Sequence, residues 1–330
     1  MSNQTSEDSS VSSLGYPIGV IIPTYNRSVV LLSCLKHLER QTFKEFEVIV
    51  VDDGSTDSTP RLLDEYRRQS PLHLRCIRQE NCGPARARNA AIAALRSPIS
   101  LMIGDDIFVS PTCVAAHLKL HQQKRELTVA GLGLTRWSDS GQTVTKFMRW
   151  LEDSGMQFAN RDLLRGVPPD HRHFYTSNIS LKTALLRENP FDEAFTKAAM
   201  EDVELGYRLR ERYGLELIFI PDALAHHLHP TSFRQACRRM FNVGISTHRF
   251  HEIWPSTKEI SRGSSIRQAL WNVMLSDTVI TSSFLVLCTF FAEVLTKVWC
   301  PNLLMRYTLY YYFRLGYRRG AVRDGRPCPI

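Results

Sequence analysis

The sequence predicts an α/β fold with a mostly parallel central β-sheet, and three observations support this. Short apolar runs alternate four times with helical segments between residues 17 and 110, which is typical of β-α-β units with parallel strands. Polar or acidic residues directly follow three of these apolar runs. A chain of 330 residues with 43% hydrophobic residues can also bury a large core without disulfides or structural metals.

The predicted strands and helices of this region follow one another at short intervals. Residues 19–23 form an apolar run that ends at Pro23, as expected of a buried strand. Apolar side chains then recur at helical spacing from 28 to 42. A strand at 46–51 precedes a helix that begins near Ser58 or Thr59, where Pro60 suits the first helical turn. The same reasoning predicts a weaker strand at 74–77, a helix at 84–95 and a buried strand at 99–103.

The pattern is less regular beyond residue 110. Residues 135–172 carry few strand signals and several aromatic residues, so we expect either a substrate loop or a pair of short helices there. Further along, the sequence predicts a strand at 176–181, a helix at 201–212, a strand at 217–220 with a Pro-Asp turn after it, and a basic helix at 232–249. Arg234, Arg238 and Arg239 of the basic helix can contact phosphate or form a solvated face, and we favour the solvated face.

The N-terminus and the cysteines favour a cytoplasmic protein. Residues 1–16 are serine-rich and lack an apolar core, so we expect a disordered lead-in rather than a signal peptide. No two of the eight cysteines stand at Cys-x-x-Cys spacing, which argues against a zinc ribbon or a thioredoxin motif. Scattered cysteines of this kind are typical of reduced thiols.

The C-terminal region 251–330 differs in character from the rest of the chain. Residues 278–292 carry no charge, but their helical length of about 22 Å is shorter than a hydrocarbon core of about 30 Å. Residues 301–330 combine many aromatic residues with six arginines, which suits a membrane interface. We expect helices at the inner face of the cell membrane; a spanning helix, a plain helical appendage and a dimer surface are the alternatives. The net charge of +8 is explained by anionic lipid, so we expect no nucleic-acid partner.

Three pairs of acidic residues are candidates for chemistry. Asp105 and Asp106 end a predicted strand, where they can form an ordinary turn or offer the oxygen ligands that a divalent cation prefers. Asp52 and Asp53 end another, where the alternatives are a helix-capping turn and a hydrogen bond to a nucleotide base or ribose. The third pair, Glu201-Asp202, opens a helix; such acids are stabilised by the helix dipole, and one of them can serve as a general base.

Histidines and arginines give further candidates. His227 and His229 share a face if their segment is extended, and with His226 they suggest a metal or phosphate role. Arg86 and Arg88 lie near the start of a predicted helix, where they are either solvated or in contact with phosphate.

These pieces occur together in one order. The series comprises residues 20–27 (VIIPTYNR), 50–57 (VVDDGSTD), 81–89 (NCGPARARN), 104–106 (GDD) and 201–209 (EDVELGYRL). It resembles the inverting glycosyltransferases of family 2, which have the GT-A nucleotide-sugar-binding fold. The resemblance covers about residues 17–250, with a nucleotide-binding half at 17–110 and an acceptor half at 111–250.

The resemblance implies a nucleotide-sugar donor (a UDP-, TDP- or GDP-sugar), a divalent cation (Mn²⁺ or Mg²⁺) and inversion at the anomeric carbon. It makes Asp202 the catalytic base, with Glu201 beside it in the motif. It makes Asp106 the direct metal ligand, with Asp105 and His227 nearby, and leaves His226 and His229 as alternatives to His227. The implied nucleotide-sugar-binding residues are Pro23, Thr24, Tyr25, Asn26, Asp53, Gly83, Arg88 and Asp105.

The acceptor is predicted more coarsely. No Gln-x-x-Arg-Trp motif follows the Glu-Asp pair, and in processive members of the family that motif binds the polymer end. We therefore expect transfer of one sugar to a glycan or lipid-linked acceptor, as in polysaccharide biosynthesis. One alternative is a non-catalytic nucleotide-sugar-binding or membrane scaffold protein on the same fold. Another is a sugar-phosphate nucleotidyltransferase, but residues 16–30 lack its Gly- and Arg-rich loop.

Overall fold

The computed structural model describes residues 15–196, 199–260, 287, 289–296, 300–322 and 328. These residues contain an eight-stranded sheet. The strands are β1 (Ile18–Thr24), β2 (Phe46–Asp52), β3 (His73–Arg78), β4 (Ile99–Ile103), β5 (Ile107–Val109), β6 (Val129–Trp137), β7 (Asn178–Lys182) and β8 (Glu216–His227). The helices are α1 (Ser28–Glu39), α2 (Thr59–Gln69), α3 (Pro84–Ala94), α4 (Cys113–Gln123), α5 (Lys146–Asp153), α6 (Asn160–Leu164), α7 (Thr183–Glu188), α8 (Glu201–Tyr213), α9 (Phe233–Ile253), α10 (Thr257–Ile260) and α11 (Asn302–Val322).

The sheet is mixed and mostly parallel, which confirms the predicted fold class. Its strand order is β3-β2-β1-β4-β7-β6-β8-β5. The first four strands are parallel, and β7 is antiparallel to both of its neighbours. Side chains of β1 alternate between two apolar cores, with Val20 and Ile22 on one face and Ile21 on the other. Burial on both faces explains why these strands are continuous apolar runs in the sequence.

Strand β8 differs from the prediction. The sequence indicated a strand at 217–220 followed by a turn at Pro221-Asp222, but β8 continues without interruption to His227. A bulge absorbs the extra residues, because the register with β6 shifts between Gly133 and Leu134. A bulge accommodates a proline, which has no amide hydrogen for regular strand pairing. Beyond the bulge β8 continues, so residues 225–227 are part of the sheet.

Residues 135–172 begin with the end of β6 and then form two short helices, α5 and α6. This agrees with the second of the two alternatives offered by the sequence. A 3₁₀ turn at His171–His173 follows, and it is capped by the carboxylate of Asp170.

The C-terminal helix α11 packs tightly along α9. A Cβ atom added to Gly244 would lie 2.0 Å from the carbonyl oxygen of Phe313, and one added to Gly316 would lie 1.9 Å from that of Phe241. The hydroxyls of Thr289 and Tyr312, 3.2 Å apart, connect residues 289–296 to α11. No helix among the described residues has the length and apolar character that crossing a bilayer requires. Most of the uncharged segment 278–292 lies outside the described residues.

Candidate active site

The carboxyl ends of β1, β2 and β4 meet at one edge of the sheet, as the sequence predicted. The hydroxyl of Thr24 donates to Asp105 Oδ2 at 2.8 Å. The amide of Asp53 donates to the Thr24 carbonyl at 2.9 Å, and the amide of Asn26 donates to Ser55 Oγ at 2.8 Å. Three predicted clusters are thus joined by direct hydrogen bonds.

Asp105 and Asp106 are buried at this edge, 5% and 8% exposed. The guanidinium of Arg27 bridges them, with Nη1 3.2 Å from Asp105 Oδ1 and 2.9 Å from Asp106 Oδ2. Burial raises the pKa of Asp105 to about 6, against the opposing charge of Arg27. Burial would do the same to Asp106, but His227, His229 and Arg27 hold its pKa well below the usual range.

Asp106 forms a cluster with two of the three histidines. His227 Nε2 and His229 Nδ1 each lie 3.2 Å from Asp106 Oδ2. The possible ligand atoms of the three side chains all fall within 4.8 Å of one another. Burial lowers the pKa of His227, which favours the neutral imidazole that a metal requires. One carboxylate and two imidazoles within this distance fit a divalent cation.

Neighbouring elements fix the orientation of these histidines. The Trp137 and His227 rings stack with centroids 5.3 Å apart, and the His227 and His229 rings stack at 5.2 Å. Phe158 contacts the edge of His227. His226 alternates to the opposite side of β8, where its register partner on β5 is Phe108.

Asp105 lies outside the His-Asp cluster, although the resemblance placed it near the metal as well as the nucleotide. Its two oxygens are taken by Thr24 and Arg27. This arrangement separates the two acids of the Gly-Asp-Asp segment, with Asp106 facing the histidines and Asp105 facing β1.

The carboxylate of Asp53 organises the loop before α3. It accepts hydrogen bonds from the Gln79 side chain at 2.7 Å, from the Cys82 amide at 3.0 Å and from the Gly83 amide at 2.8 Å. Gly83 has φ +91°, and a Cβ atom there would lie 2.7 Å from the carbonyl oxygen of Thr196. Glycine is therefore required at this position by conformation and by space.

The loop after β1 is similarly built, and Asn26 is its key residue. Asn26 has φ 53°, and its side-chain oxygen accepts from the amides of Thr56 at 2.8 Å and Asp57 at 3.2 Å. Tyr25 is 45% exposed, whereas Pro23 is half-buried at the end of β1. Tyr25 is therefore open to solvent in the loop that follows β1.

Glu201 and Asp202 open α8 on the other side of the crevice. Asp202 accepts hydrogen bonds from the backbone amides of Val203 at 2.9 Å and Thr176 at 3.4 Å. Glu201 is 3% exposed and pairs with Arg88, whose Nη1 lies 2.9 Å from Glu201 Oε1. Arg88 thus faces Glu201 inside the protein, whereas the resemblance placed it at the donor.

A chain of aromatic contacts connects Asp202 with the His-Asp cluster. The Phe158 ring lies 5.4 Å from His227 and 6.2 Å from Tyr175. The charge of Asp202 acts on Tyr175, whose pKa is raised chiefly by burial. The charges of Asp202, Glu201 and Asp106 all act on the guanidinium of Arg239 in α9. The base candidate and the metal candidates therefore border one crevice.

Sequence reasoning missed several residues of this site. Arg27 was part of a quoted motif but received no role, and its position directly after Asn26 was the available signal. Trp137, Phe158 and Tyr175 lie in or beside the region 135–172, where the pattern was hardest to interpret. The interpretation of Arg239 as part of a solvated helix face is confirmed by its exposure, but its contact with the Gln157 side chain was not foreseen.

Comparison with known proteins relates the chain to glycosyltransferases. The family model described as glycosyl transferase family 2 matches residues 19–181, and that of glycosyl transferase family group 2 matches residues 102–315. Validoxylamine A glucosyltransferase of Streptomyces hygroscopicus subsp. jinggangensis is 30% identical over 258 residues, which cover 67% of this chain and 60% of that protein. Chondroitin synthase of Escherichia coli is 27% identical over 64% of this chain and 35% of its own length. This chain therefore spans only part of these relatives.

Solved structures share the fold at low sequence identity. The mannosyltransferase PcManGT from Pyrobaculum calidifontis, in complex with GDP-Man and Mn²⁺, has a TM-score of 0.62 and 18% identity, covering 94% of this chain and 89% of its own. GalNAc-T7 with UDP, GalNAc and Mn²⁺ has a TM-score of 0.52 and 14% identity over 65% of this chain and 43% of its own. The fold is that of GT-A glycosyltransferases. The two family models together cover residues 19–315, and that of family group 2 alone covers more than half of the chain. The chain therefore belongs to glycosyltransferase family 2.

Proposed function

We propose that this glycosyltransferase moves one sugar, with inversion, from a nucleoside diphosphate sugar to a hydroxyl of a glycan or lipid-linked acceptor, and that it depends on a divalent cation. The observation that carries the proposal is the pairing of two acidic centres on one crevice. Asp106 lies with His227 and His229, and Asp202 is within electrostatic reach of the same Arg239. In this proposal residues 17–110 bind the nucleotide and residues 111–250 receive the acceptor.

Asp106, His227 and His229 would hold the cation. One carboxylate with two imidazoles suits Mn²⁺ better than Mg²⁺, because Mg²⁺ strongly prefers oxygen ligands. When bound, the cation supplies positive charge that stabilises the leaving diphosphate. PcManGT and GalNAc-T7 were both solved with Mn²⁺, which supports the choice.

The donor nucleotide would lie against the loops that follow β1 and β2. Tyr25 offers an exposed ring for stacking on a base. The rigid Asp53–Gly83 connection and the loop held by Asn26 shape the surface, together with Pro23, Thr24 and Asp105. The uridine and guanosine diphosphates of the two neighbours make UDP- and GDP-sugars the first donors to test, with TDP-sugars third.

The chemical step requires a base, and Asp202 is the best placed group. The acceptor hydroxyl would transfer its proton to Asp202 while its oxygen bonds to the anomeric carbon. The bond from that carbon to the diphosphate oxygen breaks, and the electron pair leaves with the nucleoside diphosphate. Burial raises the pKa of Asp202, which makes it a stronger base than an exposed aspartate.

Two substitutions test the proposal. Asp106→Ala should abolish Mn²⁺ binding, and Asp202→Asn should retain Mn²⁺ and donor binding while transfer falls by about a thousandfold. Asp64→Asn is the control, because Asp64 is partly exposed on α2 and its ion pairs among the described residues are with Arg67 and Arg68. Full transfer by either site variant would contradict that residue's role. Donor binding by the wild-type protein without transfer or donor hydrolysis would instead indicate the non-catalytic alternative.

We also propose that the C-terminal helices contact an anionic membrane surface. Thr289, Ala292 and Thr296 are buried, whereas large apolar side chains on the opposite face of the same turns are more than half exposed: Leu287, Phe290, Phe291 and Val294. Large apolar groups outside and small ones inside reverse the pattern of a soluble surface helix. On α11, Arg306 is exposed between Leu303 and Tyr310 on one face. Arginine beside aromatic and aliphatic groups suits anionic headgroups.

Vesicle flotation tests this contact. The chain should float with vesicles containing phosphatidylglycerol, and the double variant Phe290→Ser, Phe291→Ser should float several-fold less. Val29→Ser is the matched control, because Val29 is 73% exposed on α1, away from these helices. Equal flotation of the wild type and the double variant would contradict the proposed face. Self-association that disappears in the double variant, without flotation of either, would indicate a dimer surface instead.

A further inference from the structure

One oxygen of the proposed metal cluster is shared by three nitrogen atoms. Asp106 Oδ2 lies 3.2 Å from His227 Nε2 and 3.2 Å from His229 Nδ1. It also lies 2.9 Å from Nη1 of Arg27. The shortest of the three contacts is therefore made by a group that cannot be a metal ligand, because a guanidinium stays protonated and has no acceptor atom.

The burial of two neighbouring acids explains the position of this guanidinium. Asp105 and Asp106 are 5% and 8% exposed, and ionised carboxylates at this depth require an opposing charge. Nη1 of Arg27 supplies it to both, because it also lies 3.2 Å from Asp105 Oδ1. A divalent cation bound by Asp106, His227 and His229 would supply positive charge to the same carboxylate. The guanidinium and the cation are thus alternative counter-ions for Asp106.

The orientation of Asp106 leaves the cation no second oxygen. Asp106 Oδ1 faces Gly104, where an added Cβ atom would lie 2.9 Å from it. Oδ2 is the oxygen that contacts both histidines. A cation and a guanidinium on Oδ2 would be like charges at one buried atom, where solvent screens their repulsion only weakly. The two arrangements therefore exclude each other.

The side chain of Arg27 can move while its backbone stays in place. Its carbonyl accepts the Leu31 amide at 3.0 Å in the first turn of α1, and the preceding Asn26 is held by the amides of Thr56 and Asp57. The Arg27 side chain, by contrast, is 32% exposed, and its ion pairs among the described residues are with the two acids. It can therefore turn away from one acid towards solvent without disturbing α1.

We propose that Arg27 competes with the divalent cation for Asp106 and thereby sets the affinity of the metal site. In this exchange the guanidinium leaves Asp106 Oδ2, keeps Asp105 as its partner and gives its place to the cation. The sign of the effect separates this role from a structural one. Removing a competitor tightens metal binding, whereas removing a residue that only supports the site weakens it. The inference rests on the proposed cation site and names the group that the cation has to displace.

Titration calorimetry of the full chain with Mn²⁺ alone, without donor, tests the exchange. Arg27→Met should bind Mn²⁺ about tenfold more tightly than the wild type, or better. Arg27→Lys should fall between them, because a strongly hydrated ammonium pairs less well with buried carboxylates than a guanidinium does. Arg75→Met is the matched control: Arg75 of β3 also pairs with a buried acid, Glu47, at 2.7 Å, and its removal should leave the Mn²⁺ affinity unchanged.

A double variant locates the gained affinity. Arg27→Met combined with Asp106→Ala should bind no Mn²⁺, and tight binding that persists in it would overturn the inference, because the cation would then lie elsewhere. Affinity that is unchanged or weaker in Arg27→Met would also overturn it, while leaving the cation site in place. If Arg27→Met does not fold, Arg27→Lys decides in the same way.

Two further outcomes separate the inference from the proposed function. The absence of Mn²⁺ binding in the wild type and in every variant would overturn the cation site and the inference together. Tighter Mn²⁺ binding by Arg27→Met, in a protein whose wild type transfers no sugar, would support the inference and count against the proposed function.

Discussion

Two histidines of α4 form a buried network that should make the fold sensitive to acid. His117 Nδ1 lies 2.8 Å from Ser180 Oγ and His117 Nε2 lies 2.9 Å from Asn178 Oδ1. His121 Nε2 lies 2.9 Å from the same serine hydroxyl. Neutral imidazoles account for these hydrogen bonds, because each ring can donate from one nitrogen; His121 Nδ1 has no hydrogen-bond partner among the described residues. Protonating either ring would place an uncompensated charge between α4 and β7.

The size of the effect follows from the pKa values. Burial lowers the pKa of His117 to about 4 and that of His121 to about 3, whereas an unfolded histidine has a pKa of about 6.5. Because the folded values are depressed, the unfolded chain binds more protons below pH 6.5. Stability is therefore fully present above about pH 7 and falls as the pH decreases towards the folded values. At pH 5 each histidine should lower the free energy of unfolding by about 2 kcal/mol relative to neutral pH, and the two together by about 4 kcal/mol.

Urea unfolding at pH 8 and pH 5 measures this loss. Between pH 8 and pH 5, the free energy of unfolding of the wild type should fall by about 4 kcal/mol more than that of the double variant His117→Gln, His121→Gln. Each protein is compared with itself at the two pH values, so the direct effect of the substitutions on packing cancels. His73→Gln is the control, because His73 is exposed on β3, and it should lose as much as the wild type. A double variant with the same acid-induced loss as the wild type would refute the reasoning.

Two further predictions concern the crevice. His229→Ala should weaken Mn²⁺ binding, measured by calorimetry, by about tenfold or more. His226→Ala is the control, because His226 lies on the other side of β8, and it should leave Mn²⁺ binding unchanged. Equal losses of affinity in the two variants would contradict a metal site at Asp106, His227 and His229. Gly83→Ala should lower the free energy of unfolding by about 1–3 kcal/mol and weaken nucleoside diphosphate binding. Gly166→Ala is its control, since Gly166 has φ +84° with nothing within 4 Å, and equal destabilisation of the two would show that the contact with Thr196 is unimportant.

Local sequence signals predicted the part of the site that lies at strand ends. Asp53, Asp105 and Asp106 each follow a buried strand, and parallel strands bring their carboxyl ends to one edge. The alternation of His227 and His229 likewise predicted a shared face, and both lie 3.2 Å from Asp106. These inferences needed only periodicity and the topology of β-α-β units.

Contacts between distant segments could not be predicted in this way. Arg88 and Glu201 are 113 residues apart in the sequence, and nothing in either segment indicates that they meet. β5 has three residues, too few to show a period. The contact of Trp137 with His227 depends on the register of β6 against β8, and that of Phe158 depends on how the segment between α5 and α6 packs against His227. A single sequence specifies neither.

The buried network and the proposed metal cluster are connected through the bulge in β8. The Asn178 amide donates to the Ala223 carbonyl at 2.8 Å, a residue of the bulged stretch. A Cβ atom at Gly133 would lie 2.2 Å from the Asn178 side chain, so the glycine makes room for this contact. Because the bulge sets the register by which Trp137 pairs with His227, the hydrogen bond from His117 to Asn178 supports the position of a proposed metal ligand.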